Sequence, residues 1–425
     1  MDKLHKRQNI QRAKRPLRFL VGGVRFGNHN VGDEAILEGG INIIRKIHPN
    51  CEIIVLTDQP RRTAKKLGVK AIKCRFIESR SGKINRIFRA LSRVLENFLQ
   101  AYLALRTDVL VCAGATILSD SPALMLFFAS FGVFADKRLV HFPSGMNPGN
   151  SPGTLNKVLA ISKEFDLFLL RDIDTKKRLV DADFDPNFVQ VTIDPAFNIK
   201  LVDDVDNDVI SVLKNNNKKN LVGIGISNER DCSKYNLPLE WAKVADFIVE
   251  NFDANIVFLP SNTQEGKDLM IMDDAKKSML YKEKAYIVDV ELSPKDMIYS
   301  ISKLDMMISS RMHQLIFSCL AETPFVGISR CAKINSFLDL FNMIPAATVR
   351  DFKLEKVRPA IESTWEQRKE IKGMIRIKKE LLLKKSLETE RLFSTFLNNI
   401  NLTSKPHRSL IRRVQSFLDA FFIRF

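Results

Sequence analysis

Short apolar runs alternate with helix-like stretches along most of this chain, and that alternation restricts its fold more than any other feature. The first run is Leu17–Val24, and a helical pattern follows it from about Gly32 to Ile47. Similar runs recur at residues 51–56, 108–112, 138–142, 166–170, 221–226, 255–259, 285–288, 304–308 and 324–328. Strands separated by helices form parallel sheets, because each helix returns the chain to the start of the next strand. The sequence therefore predicts an α/β fold with parallel sheets.

The strand pattern weakens between residues 181 and 220, where Asp-rich stretches and an Asn/Lys run are typical of turns and linkers. This break predicts two Rossmann-like parallel-sheet domains that face each other across a cleft. We expect a basic N-terminal segment (1–17), an N-terminal α/β domain (18–200) and a linker (201–220). A C-terminal α/β domain (221–350) and C-terminal helices (351–425) follow. A long helix rich in Lys, Glu and Leu is expected over residues 365–398.

Positive charge is concentrated in three segments of this chain, whose formal net charge is +17. Residues 1–18 hold seven Lys/Arg and one Asp, and residues 75–106 hold seven Lys/Arg and two Glu. Residues 404–425 hold five Lys/Arg and one Asp. Patches of this kind favour an anionic partner, either nucleic acid or a membrane face. RNA-binding motifs are missing from the sequence, and most aromatic residues are Phe within apolar runs. Nucleic acid is therefore not an expected partner.

The six cysteines form no C-x-x-C pair and show no metal-ligand spacing. Several stand in apolar runs, a usage that fits a reducing compartment better than a disulfide scaffold. The N-terminus lacks the apolar core of a signal peptide, and no run of eighteen apolar residues occurs. A cytoplasmic location without a metal site is therefore expected.

One motif, Ser309–His313, stands between the strand-like run at residues 304–308 and a helical pattern. Ligands of open α/β sheets bind at such places, where the helix start offers free N–H groups and partial positive charge. Arg311 suits a carboxylate or phosphate, and His313 can move protons near neutral pH. The motif therefore indicates an anionic substrate that needs proton transfer. A salt bridge for Arg311 and an ordinary helix position for His313 are the alternatives.

A second motif, Gly27–Ala35, follows the first strand and is rich in glycine and asparagine. Glycine lets the backbone approach a ligand closely. The candidates for substrate contact in this motif are Asn28, Asn30, Gly32 and Asp33. Helix capping is the alternative for Asp33, because acids in a first turn complement the helix dipole. The motif is neither G-x-G-x-x-G nor a Walker A sequence.

Together, the G-N-x-N-x-G-D-E-A pattern of the second motif and the S-x-R-x-H pattern of the first resemble the polysaccharide pyruvyltransferase family. Weaker resemblance lies in Arg171–Asp172 and in Pro324–Ser329, which is followed by Lys333. The resemblance extends over roughly residues 18–345. The chain departs from the family pattern at Ala113–Ala115, Pro143–Pro148 and Arg330–Ala332. These departures point to a different acceptor and not to a different fold.

The resemblance implies a glycosyltransferase-B-like fold and transfer of a pyruvyl group from phosphoenolpyruvate to two saccharide hydroxyls, as a ketal, in surface polysaccharide assembly. On this basis Arg311 binds the donor anion and His313 transfers a proton. The further candidates for substrate contact are Arg171, Arg230, His141 and Lys333. Salt bridges are the alternative for the two arginines, and a buried core position is the alternative for the histidine. This chemistry requires no metal or cofactor.

Basic amphipathic patterns occur at residues 83–99 and 407–425. Helices with a basic face and a bulky apolar face lie on anionic membranes, although core packing gives the same pattern. Core packing is favoured for the first stretch and peripheral membrane docking for the second. Docking on the inner face of the membrane would suit a lipid-linked saccharide acceptor, a class that the family resemblance implies.

Two other functions remain open from the sequence. The first is a two-domain glycosyltransferase that uses a nucleotide sugar in the same cleft. The second is a non-catalytic protein that binds membranes or nucleic acid, for which the charge is the only support.

Overall fold

The computed structural model describes residues 15–73, 84–114, 116–119, 122–147, 152–201, 219–228, 235–399, 406 and 408–422. These residues contain two parallel sheets with helices packed around them. The N-terminal sheet has the described strands β1 (Arg18–Phe26), β2 (Glu52–Thr57), β3 (Lys70–Lys73), β4 (Val109–Cys112), β5 (Arg138–Ser144), β6 (Leu167–Leu170) and β7 (Val189–Val191). The C-terminal sheet has β8 (Asn220–Gly225), β9 (Ala254–Phe258), β10 (Ala285–Ile287), β11 (Met306–Ser309), β12 (Phe325–Ser329) and β13 (Ala347–Thr348). The prediction of two parallel-sheet α/β domains is confirmed.

Helices connect these strands and cover the sheets. Those of the N-terminal domain are α1 (Val31–Ile47), α2 (Pro60–Leu67), α3 (Ile84–Arg106), α4 (Pro122–Phe134), α5 (Pro152–Ser162) and α6 (Ile173–Val180). Those of the C-terminal domain are α7 (Leu237–Phe252), α8 (Asp268–Ser278), α9 (Pro294–Ser302), α10 (Met312–Ala321) and α11 (Ala332–Asp339). The chain then continues through α12 (Leu354–Glu366), α13 (Arg368–Asn399) and α14 (Leu410–Phe422).

The order of the strands determines where a ligand can bind. The first sheet has the order β3-β2-β1-β4-β5-β6-β7, and the second has β10-β9-β8-β11-β12-β13. In both sheets the connections reverse direction beside the first strand, which leaves a crevice outside the carboxyl ends of the strands. The loop after β1 and the turn after β11 lie at these two reversal points. Both sequence motifs are therefore at ligand-binding positions of the fold.

Local sequence explains why α1 begins where it does. The Asn30 Oδ1 atom accepts the Gly32 N–H at 3.0 Å, and Asp33 and Glu34 stand in the first turn, where acids complement the helix dipole. The Glu34 carboxylate turns back to accept the Gly27 N–H at 2.8 Å. The cap and this second bond hold the glycine-rich loop against the helix start.

The long helix α13 connects the two domains at the end of the chain. The sequence predicted a helix over residues 365–398, and the structure has one over Arg368–Asn399. Ile375 and Leu382 are buried in the core of the C-terminal domain, whereas Phe393 and Leu397 are buried in that of the N-terminal domain. The helix therefore fixes one domain against the other through apolar contacts at both of its ends.

The last helix, α14, packs against α4 on the N-terminal domain. Its Phe417 ring contacts the Phe134 ring at a centroid distance of 4.6 Å. The Arg408 guanidinium donates to Glu164, Arg412 pairs with the same carboxylate, and Arg413 donates to the Phe134 carbonyl. The expectation that these arginines face lipid charge is therefore corrected, since each is engaged by protein. His407 and residues 423–425 lie outside the described part.

Candidate active site

The loop after β1 is attached to the C-terminal domain across the cleft. The Val31 N–H donates to the Ser261 carbonyl at 2.9 Å, and Asn30 forms an isolated antiparallel bridge with Asn262. Farther along the loop, the His29 Nδ1 atom lies 2.7 Å from a Glu291 carboxylate oxygen. These contacts bring the Gly27–Ala35 motif beside the C-terminal sheet, where the Ser309–His313 motif lies.

Gly32 and His313 are in direct contact at the centre of the cleft. A Cβ atom on Gly32 would lie 2.3 Å from the His313 Nδ1 atom, closer than any real Cβ contact. The imidazole therefore occupies the space that any other side chain at position 32 would fill. His313 is in the first turn of α10, and its side chain is 13% exposed. The glycine of one motif thus makes room for the histidine of the other.

Asp194 joins this histidine to Arg171. One carboxylate oxygen of Asp194, Oδ2, accepts from the Arg171 Nη1 atom at 2.9 Å and lies 3.7 Å from the His313 Nε2 atom. The other oxygen accepts the Ala196 N–H at 3.0 Å. Burial acts to raise the pKa of Asp194, but the interactions with His313, Arg171 and this N–H outweigh it and hold the pKa far below its usual range. The carboxylate is therefore charged at neutral pH.

Several buried polar atoms around Asp194 have no hydrogen-bond partner within the described structure. They are the Nη2 atom of Arg171, the Oγ1 atom of Thr192 and the Nε2 atom of His313. Buried polar groups are rarely left unsatisfied, because each one costs about 1–3 kcal/mol. Unsatisfied donors and acceptors beside a cleft are typical of a site that a polar ligand completes.

A cavity of about 370 Å³ opens beside this cluster, between the two domains. The N-terminal domain contributes the residues after β6, the end of β7 with the residues after it, and the start of α6, and the C-terminal domain contributes the start of α10 and residues along the length of α11. Its charged lining includes Arg171, Asp194, Lys333 and Lys385. The volume and the mixed apolar and charged lining are those of a small-molecule site.

Arg311 lies at the N-terminus of α10, and its side chain is held by the fully buried Asp268. The Arg311 Nε atom donates to one Asp268 carboxylate oxygen at 3.1 Å, and the Nη2 atom pairs with the other. The same carboxylate accepts the backbone N–H groups of Ser261 and Asn262 at 3.0 Å. A salt bridge was the sequence-based alternative for Arg311, and the structure contains one. The Nη1 atom takes no part in that pair, so the guanidinium keeps one edge for a ligand.

The remaining candidates have different surroundings. The Asn28 side chain donates to Asp33 at 3.1 Å, and Asn30 caps α1, so these polar groups support their own loop. His141 is fully buried, with its ring stacked 4.3 Å from that of Phe168 and its Nδ1 atom 3.0 Å from a carbonyl.

Burial lowers the pKa of His141 to about 4. This histidine belongs to the core, the alternative that the sequence left open, and we remove it from the candidate site. Lys333 lines the cavity, as noted above, whereas Arg230 lies outside the described residues.

Two residues of this site, Asp194 and Asp268, were not predicted. Asp194 follows the apolar run Val189–Ile193, where the strand pattern is weak, and Asp268 begins α8 in the other domain. The Asp-Pro pair after a short β-rich run was the available signal for Asp194, since strand ends carry ligand-binding residues. The sequence held no comparable signal for Asp268.

Replacing Gly32 with alanine should lower activity without unfolding the protein. The new methyl group would displace the His313 ring, and a shift of about 1 Å in a catalytic group can cost on the order of a hundredfold in rate. Steady-state turnover and thermal melting would be measured together. Gly373→Ala is the control, because a Cβ there meets no atom within 4 Å. Equal turnover in Gly32→Ala and wild type would show that the ring position is unimportant.

The chemical capacity of the site follows from this inventory. Two guanidinium groups can bind an anion, a buried imidazole can move a proton, and the start of α10 adds N–H groups and partial positive charge. Within the described residues, no group of three or more His, Cys, Asp or Glu side chains could hold a metal ion. The arrangement suits an anionic substrate and acid–base chemistry.

Solved structures of other proteins share this architecture. S. aureus MnaA in a co-structure with UDP matches with a TM-score of 0.64 and 12% identity, over 92% of this chain and 99% of that one. The UDP-GlcNAc 2-epimerase of Neisseria meningitidis bound to UDP-GlcNAc matches with a TM-score of 0.63 and 11% identity, over 90% and 100%. Anabaena Alr3699/HepE in complex with UDP-glucose matches with a TM-score of 0.59 and 10% identity, over 90% of this chain and 100% of that one. At such identities the likeness shows the fold, which is glycosyltransferase-B-like.

Sequence comparison shows the family. No curated protein sequence matches the chain significantly. The family profile described as Polysaccharide pyruvyl transferase matches residues 30–331, most of the chain. That span contains Gly32, Arg171, Asp194, Arg311 and His313, the residues that the structure gathers at the cleft. This chain therefore belongs to the polysaccharide pyruvyl transferase family of enzymes.

Proposed function

We propose that this transferase moves a pyruvyl group from phosphoenolpyruvate to two hydroxyls of a saccharide, forming a ketal, in surface polysaccharide assembly at the cytoplasmic side of the membrane. The observation that carries the proposal is the pair of unsatisfied buried atoms, Arg171 Nη2 and His313 Nε2, on residues that share the Asp194 carboxylate. A carboxylate and a phosphate on one small donor match the cations gathered at the cleft.

The proposed reaction balances without a cofactor. One saccharide hydroxyl adds to the central carbon of phosphoenolpyruvate, and the methylene carbon takes up a proton to become a methyl group. The second hydroxyl then displaces phosphate at the same carbon and closes the ketal ring. The two hydroxyls lose two protons in total. One balances the proton that the methylene carbon takes up, and the other leaves with the phosphate.

Each residue has a distinct part in this proposal. His313 moves the proton through its Nε2 atom, and general acid–base help of this kind is typically worth about 10²–10⁴-fold. Arg171 and the free edge of Arg311 bind the donor carboxylate and phosphate. The N-terminus of α10, which no side chain caps, stabilises the departing phosphate. Asp194 orients the imidazole and neutralises Arg171.

The direct test is incubation of the purified protein with phosphoenolpyruvate and candidate glycans, lipid-linked saccharides included. We expect phosphate release that depends on the glycan, together with a matching gain in glycan mass. A nucleotide-sugar glycosyltransferase is the second candidate, because the structural neighbours bind UDP or UDP-sugars. Turnover with UDP-glucose and none with phosphoenolpyruvate would establish that candidate instead.

Arg311→Lys should weaken donor use although it preserves the charge. A lysine cannot make two parallel hydrogen bonds to Asp268 and still present an edge to the donor. Loss of a charge-assisted contact costs roughly 1.5–3 kcal/mol, or about ten- to a hundredfold. We expect kcat/KM for phosphoenolpyruvate to fall by this factor, and KM for the saccharide to change less. Arg376→Lys is the control, because its partner Glu322 is remote from the cleft motifs. Unchanged donor kinetics in Arg311→Lys would remove Arg311 from the donor site.

A further inference from the structure

Helix α3 has an unusual distribution of side chains for the surface of a domain. Four large apolar side chains in its C-terminal half point outward, with exposed fractions of 55% for Leu95, 57% for Phe98, 53% for Tyr102 and 49% for Leu105. The spacings of three, four and three residues place them on one helical face. The buried face of this half has one large apolar residue, Leu103, among the polar and small residues Asn97, Gln100, Ala101 and Ala104. A surface helix ordinarily does the reverse.

Helix α14 also presents apolar side chains to solvent, although its Phe417 packs on the domain. Ile411 is 83% exposed, Val414 46% and Leu418 45%, whereas Ser416 and Ala420 are buried. Both helices pack on α4, and they also contact each other. Their outward faces therefore lie side by side. We call the set Leu95, Phe98, Tyr102, Leu105, Ile411, Val414 and Leu418 the apolar face.

Positive charge lies at one end of the apolar face. The Arg106 guanidinium lies 5.3 Å above the Tyr102 ring, at the C-terminal end of α3. Two positions later, Asp108 binds both terminal nitrogens of Arg15, where the described chain begins. The preceding residues, 1–14, carry five Lys/Arg and one Asp in the sequence.

We propose that the apolar face inserts into the interfacial region of an anionic lipid bilayer. Clustered aromatic and aliphatic side chains beside cationic groups are features of an interfacial protein surface. A second copy of the chain fits this face less well, because pairing would bring two strongly basic regions together. The inference does not depend on which group the enzyme transfers. It assigns the apolar contact to both helices, whereas the arginines of α14 serve to hold that helix on the domain.

Membrane insertion can be measured at one position on the face. Phe98→Trp places a fluorophore on α3, and Ile377→Trp places one on α13, at a side chain that is 65% exposed and away from the face. The native Trp241 and Trp365 are both in the C-terminal half and give the same background in each variant. With phosphatidylglycerol/phosphatidylcholine vesicles, the emission of Phe98→Trp should shift to the blue and be quenched by brominated acyl chains. The Ile377→Trp emission should neither shift nor be quenched. Equal shift and quenching in the two variants would overturn the proposal.

Binding strength gives the second readout. The double variant Phe98→Ser/Leu418→Ser should lower the partition coefficient on the same vesicles at least tenfold. Ile377→Ser/Leu387→Ser, with side chains of similar exposure on α13, is the matched control and should bind as wild type does. Because all four side chains are exposed, both variants should keep the wild-type melting temperature.

Lipid charge and self-association separate the remaining outcomes. Vesicles of phosphatidylcholine alone should bind the wild-type protein far more weakly, and high salt should reduce binding to the anionic vesicles. Equal binding to neutral and anionic vesicles would overturn the proposed preference for anionic lipid. A wild-type dimer that Phe98→Ser/Leu418→Ser converts to a monomer, with vesicle binding unchanged, would show that a second copy covers the face and would reject the proposal.

Discussion

Replacing His313 with glutamine is expected to lower turnover by about 10²–10⁴-fold, because glutamine fills similar space but cannot shuttle a proton at neutral pH. The Nε2 atom of His313 is buried without a hydrogen-bond partner within the described structure and lies 3.7 Å from Asp194. Steady-state rates of phosphate release from phosphoenolpyruvate would measure the loss. Thermal melting would stay close to wild type, since a glutamine amide can also direct an N–H group toward Asp194.

His48→Gln provides the matched control for this experiment, because His48 ends α1 on the N-terminal domain, far along the helix from Gly32. It should retain wild-type turnover. The opposite pattern in His313→Gln, a large fall in melting temperature with turnover preserved per folded molecule, would identify His313 as a packing residue.

Asp194→Asn is expected to destabilise the fold as well as the reaction. The substitution removes the carboxylate that Arg171 contacts at 2.9 Å, and the Arg171 side chain is only 4% exposed. An uncompensated buried charge typically costs about 3–5 kcal/mol. Urea unfolding would measure this loss as a lower midpoint with an unchanged slope. Asp253→Asn, which alters an exposed pair with Lys219, should leave the midpoint unchanged.

The pH dependence of stability tests the same residue independently. The folded state holds the pKa of Asp194 below its ordinary value, so the unfolded chain takes up a proton first as the pH falls. The stabilisation from this carboxylate is therefore complete above the unfolded pKa of about 3.9 and is lost as the pH drops toward the folded pKa. The difference in unfolding free energy between wild type and Asp194→Asn should be constant above about pH 5 and narrow below about pH 4. A difference independent of pH would mean that Asp194 is not the ionised partner.

The Asp194→Asn variant also tests whether Asp194 positions the His313 imidazole for proton transfer. In the folded fraction of Asp194→Asn, turnover should fall and the pH profile of kcat should change, because the imidazole loses the carboxylate that faces its Nε2 atom. Asp194→Glu keeps the charge and should restore part of the rate. A pH profile identical to that of wild type would limit Asp194 to supporting Arg171.

The sequence alone was sufficient to locate ten of the thirteen described strands and the two motifs, but not β3, β7 or β13. The apolar runs that became β1, β4, β8 and β11 are short and separated by helical patterns, an alternation that is typical of parallel strands. Gly27–Ala35 and Ser309–His313 follow two of these strands, and strand ends are where this class of fold binds ligands. Local pattern thus determined the fold class and the approximate site.

Only the tertiary structure decided which side chains meet. Gly32 contacts His313, Arg171 shares Asp194 with that histidine, and Arg311 pairs with Asp268. Each of these pairs joins residues that are distant in the sequence. The position of one sheet relative to the other sets the separation of His313 from Gly32 and Asp194, whereas the packing within one domain sets the two arginine–aspartate pairs. No local periodicity carries that information.

Helix α14 is a second case in which the sequence pattern did not determine the packing. Its pattern of arginines and phenylalanines predicted an amphipathic helix, which the structure contains, but the pattern fits lipid or protein equally. Packing against α4 decided that Phe417 and the arginines face the domain, which left Ile411, Val414 and Leu418 outward. The periodicity of the sequence therefore determined that the helix has two faces. Which face is buried depended on the apolar surface of α4, because a side chain is buried only where a second surface packs against it.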